Sequence, residues 1–262
     1  MRTFLGLVAG FLFLAFVPAS RAEESVRILT PRPEVSLAML LIKPEGPVAA
    51  SLIMFVGAGG YLGLAPDWPT GKRGANFLFR TADDFVKEGF AVAVLDADSD
   101  HSGGLWNART GRNHAEDVRA AIGALRAAIG APVWLVGTSM GTVSVANAGA
   151  RLQEGGADGL VLTSSVTVPT KRSAESVLSV DLKAITVPVL VVRHDQDGCD
   201  ASPPWNAPRI LNRLEHSPRK ELIGFSGGSP PQSGPCEPFA QHGYLGIEQR
   251  VVGAIAAWIR GQ

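Results

Sequence analysis

Five short apolar runs constrain this chain more than any other feature. Residues 50–56, 91–95, 133–136, 160–163 and 187–192 carry almost no polar side chains, whereas a strand with one wet face alternates polar and apolar positions. Between and after them lie stretches with helical spacing, at 77–89, 116–129, 141–152 and 247–259. The second of these is expected to open with Glu116 and Asp117 in its first turn, just after His114. Ahead of the runs, 26–30 and 36–43 flank Pro31-Arg32-Pro33 and read as an antiparallel hairpin, and 221–225 reads as a last strand. Strands alternating with helices over most of a chain predict a mostly parallel sheet covered on both faces. Ligand sites in such sheets lie beyond the carboxyl ends of the strands, and every candidate below falls at one of those ends.

The first 22 residues read as a segment separate from that fold. Met1-Arg2 is a short positive start, 4–17 is an unbroken apolar stretch, and Ser20 and Ala22 stand at −3 and −1 of a cleavage site before Glu23. The expectation is a cleaved signal peptide over 1–22 and one domain over 23–262, periplasmic or secreted and without stable membrane insertion. The whole chain has 24 Lys and Arg against 24 Asp and Glu. Losing Arg2 and Arg21 with the leader keeps it close to neutral. With no basic cluster, nucleic acid is not an expected partner. Cys199 and Cys236 are the two cysteines. An isolated pair in an exported protein is most simply a disulfide, and two thiols are too few for a tetrahedral zinc site. No metal or cofactor motif is expected: the Gly-rich loop at 57–60 lacks both dinucleotide spacing and a phosphate-loop lysine.

One candidate nucleophile is Ser139, in Gly137-Thr138-Ser139-Met140-Gly141. The string alone carries little weight, because a random shuffle of this composition yields G-x-S-x-G roughly 0.2 times. A second copy even occurs at Gly224-Phe225-Ser226-Gly227-Gly228. Context separates them. The first copy follows an apolar strand and precedes a proline-free run able to form a helix, as a nucleophile elbow requires. The second runs into Pro230-Pro231, which cannot open a helix in register. Beside Ser139 the helix start favours negative charge, and the Met140 N–H is placed to meet an oxyanion.

A serine needs a base and an acid to orient it. The 187–192 strand runs into a loop holding Asp195, Asp197 and Asp200. Asp197 is favoured, because it sits in the turn from which a carboxylate reaches a neighbouring loop, with Asp200 next. Of the five histidines, His101 and His114 come early, His194 lies on the acid strand and His216 in a polar stretch. His242 follows the last strand among glycines, just before the final helix, and is the expected base.

The order Ser139, Asp197, His242 on this alternation of strands resembles the α/β-hydrolase superfamily over essentially the whole chain after residue 22. The Gly-Thr-Ser-x-Gly elbow, the 56–64 loop, the acid-loop cysteine and the His-Gly-Tyr-Leu-Gly-Ile-Glu ending also resemble a group of exported bacterial serine hydrolases of unassigned substrate. The resemblance implies an eight-stranded, mostly parallel sheet. It also implies Ser139 as nucleophile, His242 as base and Asp197 as its orienting acid. Residues 55–61 take the place of the oxyanion loop, departing from the commoner His-Gly start, with Ala58 or Gly59 expected to join Met140 through a backbone N–H. Only about 23 residues separate the strand ending near Thr163 from the one starting at Val187. No large lid domain fits there, and short-chain or polymeric esters are the expected substrates. Tyr61, Trp106 and Trp205 are candidate substrate contacts. A peptidase or amidase on the same triad, and a non-catalytic binding protein on the same fold, are the alternatives.

Overall fold

Each of the apolar runs forms a strand with both faces covered. The computed structural model describes residues 22–261, so the expected leader lies outside the described residues apart from Ala22. Eight strands form one sheet: β1 (Glu23–Arg32), β2 (Val35–Lys43), β3 (Ala50–Phe55), β4 (Phe90–Asp98), β5 (Val133–Thr138), β6 (Gly159–Thr163), β7 (Val189–His194) and β8 (Lys220–Phe225). Their spatial order is β1-β2-β4-β3-β5-β6-β7-β8. The β1–β2 and β2–β4 pairs are antiparallel, and every pair from β4–β3 onward is parallel. All residues of β3, β4, β5 and β6 are buried, which explains why these strands read as continuous apolar runs.

The helices are α1 (Phe77–Arg80), α2 (Ala82–Lys87), α3 (Arg112–Ile129), α4 (Gly141–Arg151), α5 (Pro208–Arg213) and α6 (Glu248–Ile259). One face of the sheet packs on α3, α4 and α5 through residues such as Val118, Ile122, Val143 and Ile210. The other face packs on α1, α2 and α6 through Phe77, Phe85, Val251 and Ile255. Among the described residues no helix is long and apolar enough to cross a membrane. The stretch between β6 and β7 holds only the single turns Val177–Ser179 and Leu182–Ala184, and among the described residues it forms no lid domain over the carboxyl ends of the strands.

Several boundaries differ from the sequence expectation for local reasons. The hairpin turns tightly at Pro33-Glu34, with Glu34 at φ 61°. Pro31 and Arg32 therefore stay in β1, an edge strand where a missing N–H is tolerated. The expected 77–89 helix is two short ones, because the Thr81 hydroxyl donates to the Phe77 carbonyl at 2.8 Å and the backbone breaks there. The helix expected from Glu116 starts at Arg112, after Gly111 in an extended conformation. Glu116 and Asp117 thus lie beyond its first turn, and His114 is buried within it. α5 carries too short a pattern to be read in advance.

Helix and sheet approach closely at Gly141, where a Cβ would overlap the carbonyl oxygen of Phe55 on β3. Gly123, on the exposed side of α3, has nothing within 4 Å of such a Cβ. Gly141→Ala is expected to cost about 3 kcal/mol or more, lowering the melting temperature by roughly 6–12 °C. Gly123→Ala is expected to stabilise by about 0.5–1 kcal/mol. Thermal melts of the two variants check this contrast, and equal melting temperatures would contradict the close approach.

Candidate active site

At the end of β5 the chain turns through Ser139 in a left-handed conformation, φ 53°. The neighbouring glycines are dictated by space: a Cβ on Gly137 would stand 2.6 Å from the Gly141 carbonyl oxygen. The turn is fastened on both sides. The Ser139 N–H donates to the Thr163 carbonyl at 3.0 Å, and the Ser139 carbonyl accepts from the Thr142 N–H and hydroxyl. α4 begins two residues later. Ser226 has no comparable setting. Its hydroxyl donates to Asp195 at 3.0 Å on the surface, and two positive-φ glycines follow it instead of a helix.

β7 delivers Asp197, whose Oδ2 lies 2.9 Å from His242 Nδ1, both side chains being buried. The carboxylate also accepts from the Cys199 N–H at 2.9 Å and from the Ser202 hydroxyl at 3.0 Å. With Nδ1–H directed at the carboxylate, His242 keeps its lone pair on Nε2. That atom is buried and has no hydrogen-bond partner among the described residues. His242 and Ser139 line the same cleft. Asp195 instead pairs with Arg193, and Asp200 is exposed. The remaining histidines are engaged elsewhere: His101 with Asp98, His114 with Ser144, His194 with the Gly227 carbonyl and His216 with the Lys183 carbonyl. A disulfide joins Cys199 to Cys236, with Cα atoms 4.6 Å apart. It ties the loop bearing Asp197 to the one leading to His242.

Three further residues seat these loops. Tyr244, at φ 59° and fully buried, donates from its hydroxyl to the Val192 carbonyl at 3.0 Å and accepts from the Ser164 N–H at 3.1 Å. Ser164 in turn donates to the His242 carbonyl at 2.8 Å. The His242 backbone is therefore pinned to the ends of β6 and β7, and burial raises the Tyr244 phenol above its ordinary pKa. Ser202 does the same for the Asp197 carboxylate. Nothing in the sequence marks Ser164 or Ser202, while Tyr244 carries a weak signal as the aromatic after His-Gly.

The loop after β3 passes directly over the elbow: a Cβ on Gly57 would stand 3.0 Å from Ser139 Cβ. Ala58 follows at φ 50°. Among the described residues, no carbonyl or side chain accepts from the Ala58 or Met140 N–H. Two buried charges hold this loop from below. Asp96 accepts from the Leu62 and Leu64 N–H groups at 2.6 and 2.7 Å, and burial raises its pKa against the pull of those donors. Arg109, 1% exposed, donates to the Ala58 carbonyl at 3.0 Å and to Ser144 Oγ at 2.7 Å. Burial draws its pKa down to about 10, with Glu175 opposing. Gly60 leaves the room this needs, since a Cβ there would stand 2.7 Å from the guanidinium. Ser144 also lies 2.8 Å from His114 Nε2. Burial, helped by the Arg109 cation, lowers the His114 pKa to about 3, so its ring is neutral and accepts from Ser144.

The cleft has a volume of about 440 Å³ and includes Tyr61 and Trp106 in its walls. Trp205 is placed elsewhere. It sits in the turn Pro204–Asn206, 73% exposed, on a separate groove with Val168 and Pro203, because the acid loop carries it to the far side of Asp197. A group of metal-capable side chains, Asp98, His114 and Asp117, meets under β4 and α3. The Arg32 guanidinium already fills that role, at 2.7 Å from Asp117 and 3.6 Å from Asp98.

The family model described as "Serine aminopeptidase, S33", a hydrolase family, matches residues 73–215. No curated protein matches the sequence significantly. Among solved structures, an esterase of Pyrococcus furiosus superposes with a TM-score of 0.63 at 14% identity, covering 92% of this chain and 91% of its own. A cold-adapted esterase from an Arctic intertidal metagenomic library gives 0.60 at 16%, covering 90% and 93%. A lidless α/β serine hydrolase of Xanthomonas campestris gives 0.56 at 17%, covering 91% and 96%. At such identities the likeness is one of fold.

The buried neutral His114 has a consequence for stability. Unfolded, its pKa returns to about 6.5, so between about pH 6.5 and pH 3 the unfolded chain binds a proton that the folded chain does not. Stability is then lost as pH falls through that window, with a slope approaching 1.4 kcal/mol per pH unit from this one group. Denaturant titrations at pH 7 and pH 5 are expected to show a smaller pH loss in His114→Gln than in the parent. The same loss in both would contradict the assignment.

Proposed function

The chain belongs to the serine aminopeptidase S33 family of α/β hydrolases, and from that premise we propose that it is an exported serine hydrolase that cleaves carboxylic esters. The catalytic domain spans 23–262, after a leader over 1–22 that is removed on export. One observation carries the reading. Among the described residues the buried Nε2 of His242 has no partner, His242 lines the same cleft as the strained Ser139, and Asp197 occupies the other ring nitrogen.

The chemistry follows from these atoms. Ser139 Oγ attacks the ester carbonyl as its proton passes to His242 Nε2. Asp197 keeps the ring in the Nδ1–H tautomer and stabilises the imidazolium that forms. The carbonyl oxygen takes up negative charge and is met by the N–H groups of Met140 and Ala58, neither of which has another acceptor among the described residues. Of the two loop residues read from the sequence, Ala58 suits this role better, because the preceding Gly57 already lies against Ser139. Gly59 is turned toward Trp106 and Gly104. His242 then returns its proton to the departing alcohol, leaving an acyl group on Ser139. A water activated by the same imidazole releases the acid and restores the serine. The disulfide supports export, and by joining the acid and base loops it limits their relative drift.

The ester reading is preferred over an aminopeptidase because the residues lining the cleft include no Asp or Glu to pair with a substrate α-ammonium. The absence of a lid suits short or polymeric acyl chains. The expected result is turnover of 4-nitrophenyl acetate and butyrate with little or none of an aminoacyl 4-nitroanilide. Ser139→Ala is expected to lose about 10⁴-fold or more in kcat. A preference for the anilide would establish the peptidase reading instead, and undiminished ester turnover by Ser139→Ala would remove the assigned nucleophile.

A further inference from the structure

Arg172 is the one Lys or Arg in a cleft that otherwise holds no carboxylate or ammonium group. Its guanidinium stacks on the Trp106 indole, with Cζ 4.3 Å from the ring centroid, and it forms no ion pair among the described residues. The stack is positioned from both sides. Asn107, the neighbour of Trp106, donates to the Arg172 carbonyl at 3.4 Å and accepts from the Ala174 N–H at 2.8 Å. The Thr170 hydroxyl caps the same short turn by accepting from the Arg172 N–H at 3.2 Å. The Nε1 edge of the indole abuts the oxyanion loop, since a Cβ on Gly59 would stand 3.1 Å from Trp106 Nε1. A cation is thus held one indole away from the loop that faces the reacting carbonyl, with its in-plane donors unspent. Among the described residues no protein acceptor takes a hydrogen bond from the Arg172 side chain, and a contact with the indole ring consumes none of those donors.

We propose that Arg172 makes the enzyme selective for esters that carry a carboxylate elsewhere in the molecule, binding it by charge-assisted hydrogen bonds while Ser139 attacks the ester. The proposal rests on the ester-hydrolase reading above. A single guanidinium, with no second cation beside it, matches the single charge and planar fork of a carboxylate better than the two charges of a phosphate monoester. Asp and Glu are absent from the lining, so nothing in the cleft competes for the guanidinium.

The test uses two pairs of monoesters that differ at the carboxylate: monomethyl adipate against methyl hexanoate for an acyl-side charge, and 4-acetoxybenzoate against 4-acetoxybenzamide for a charge on the leaving group. The wild-type chain is expected to favour the charged member of at least one pair by about tenfold in kcat/KM, with most of the difference in KM. Because the site is open to solvent, that preference should shrink as salt is raised. Arg172→Gln should bring the charged-to-neutral ratio towards one, and Arg172→Lys should restore part of it. Both members are measured on the same preparation, so any loss of folded protein cancels in the ratio. Turnover of the neutral esters without preference for either charged partner overturns the proposal and leaves the ester-hydrolase reading standing. A preference that persists in Arg172→Gln also overturns it. No turnover of any of the four overturns the proposal and the reading beneath it together.

Discussion

The rest of the site is arranged around Ser139 standing at a positive φ between two glycines that admit no side chain. A non-glycine residue in that conformation carries a strain on the order of 1–3 kcal/mol, which persists only where the surroundings over-determine it. Here they do. The Thr163 carbonyl holds the Ser139 N–H, Thr142 holds its carbonyl, and Gly141 lets α4 press onto Phe55. Because β5 lies between β3 and β6, the same turn lies beside the loop after β3 and the end of β6. Each neighbouring strand then contributes one loop to a common rim.

That rim is kept in place by polar groups beneath it, in a part of the molecule where apolar packing would give less directional control. Arg109 and Asp96 grip opposite ends of the loop following β3, the first through a carbonyl and the second through N–H groups. Burying such charges is costly unless each finds partners. The Arg109 cation is met by Ser144, a backbone carbonyl and the nearby Glu175, and His114 answers by remaining neutral. The His242 side follows the same logic with uncharged groups, as Ser164 donates to the His242 carbonyl and is itself held by Tyr244, leaving the ring free of both. The disulfide adds a covalent tie between the two loops that carry Asp197 and His242.

Much of this was legible in the sequence because it depends on local pattern. Buried parallel strands read as apolar runs. The two G-x-S-x-G strings differ in whether a helix can follow. Chain order brought Asp197 and His242 forward, and the structure sets them 2.9 Å apart. What was not legible depends on long-range placement. Arg109 reads as an ordinary loop arginine, and only the path of the chain carries it beneath Ala58. Ser144, Ser164 and Ser202 lack any pattern of their own. Trp205 looks like a cleft aromatic by proximity to Asp197 in sequence, yet a turn of three residues sends it to the opposite side. The start of α3 is hidden in the sequence because acidic residues at 116 and 117 suggest a first turn, whereas Asp117 is held by Arg32 from β1.

We propose Ser139 as a nucleophile activated by His242 and Asp197. Its most direct test is to treat the folded protein with a fluorophosphonate probe, digest it and map the modified peptide by mass spectrometry. One phosphonyl adduct is expected, on Ser139, formed at a rate that falls steeply in His242→Ala and absent from Ser139→Ala. An unlabelled native protein, or equal labelling of Ser139→Ala, would contradict it.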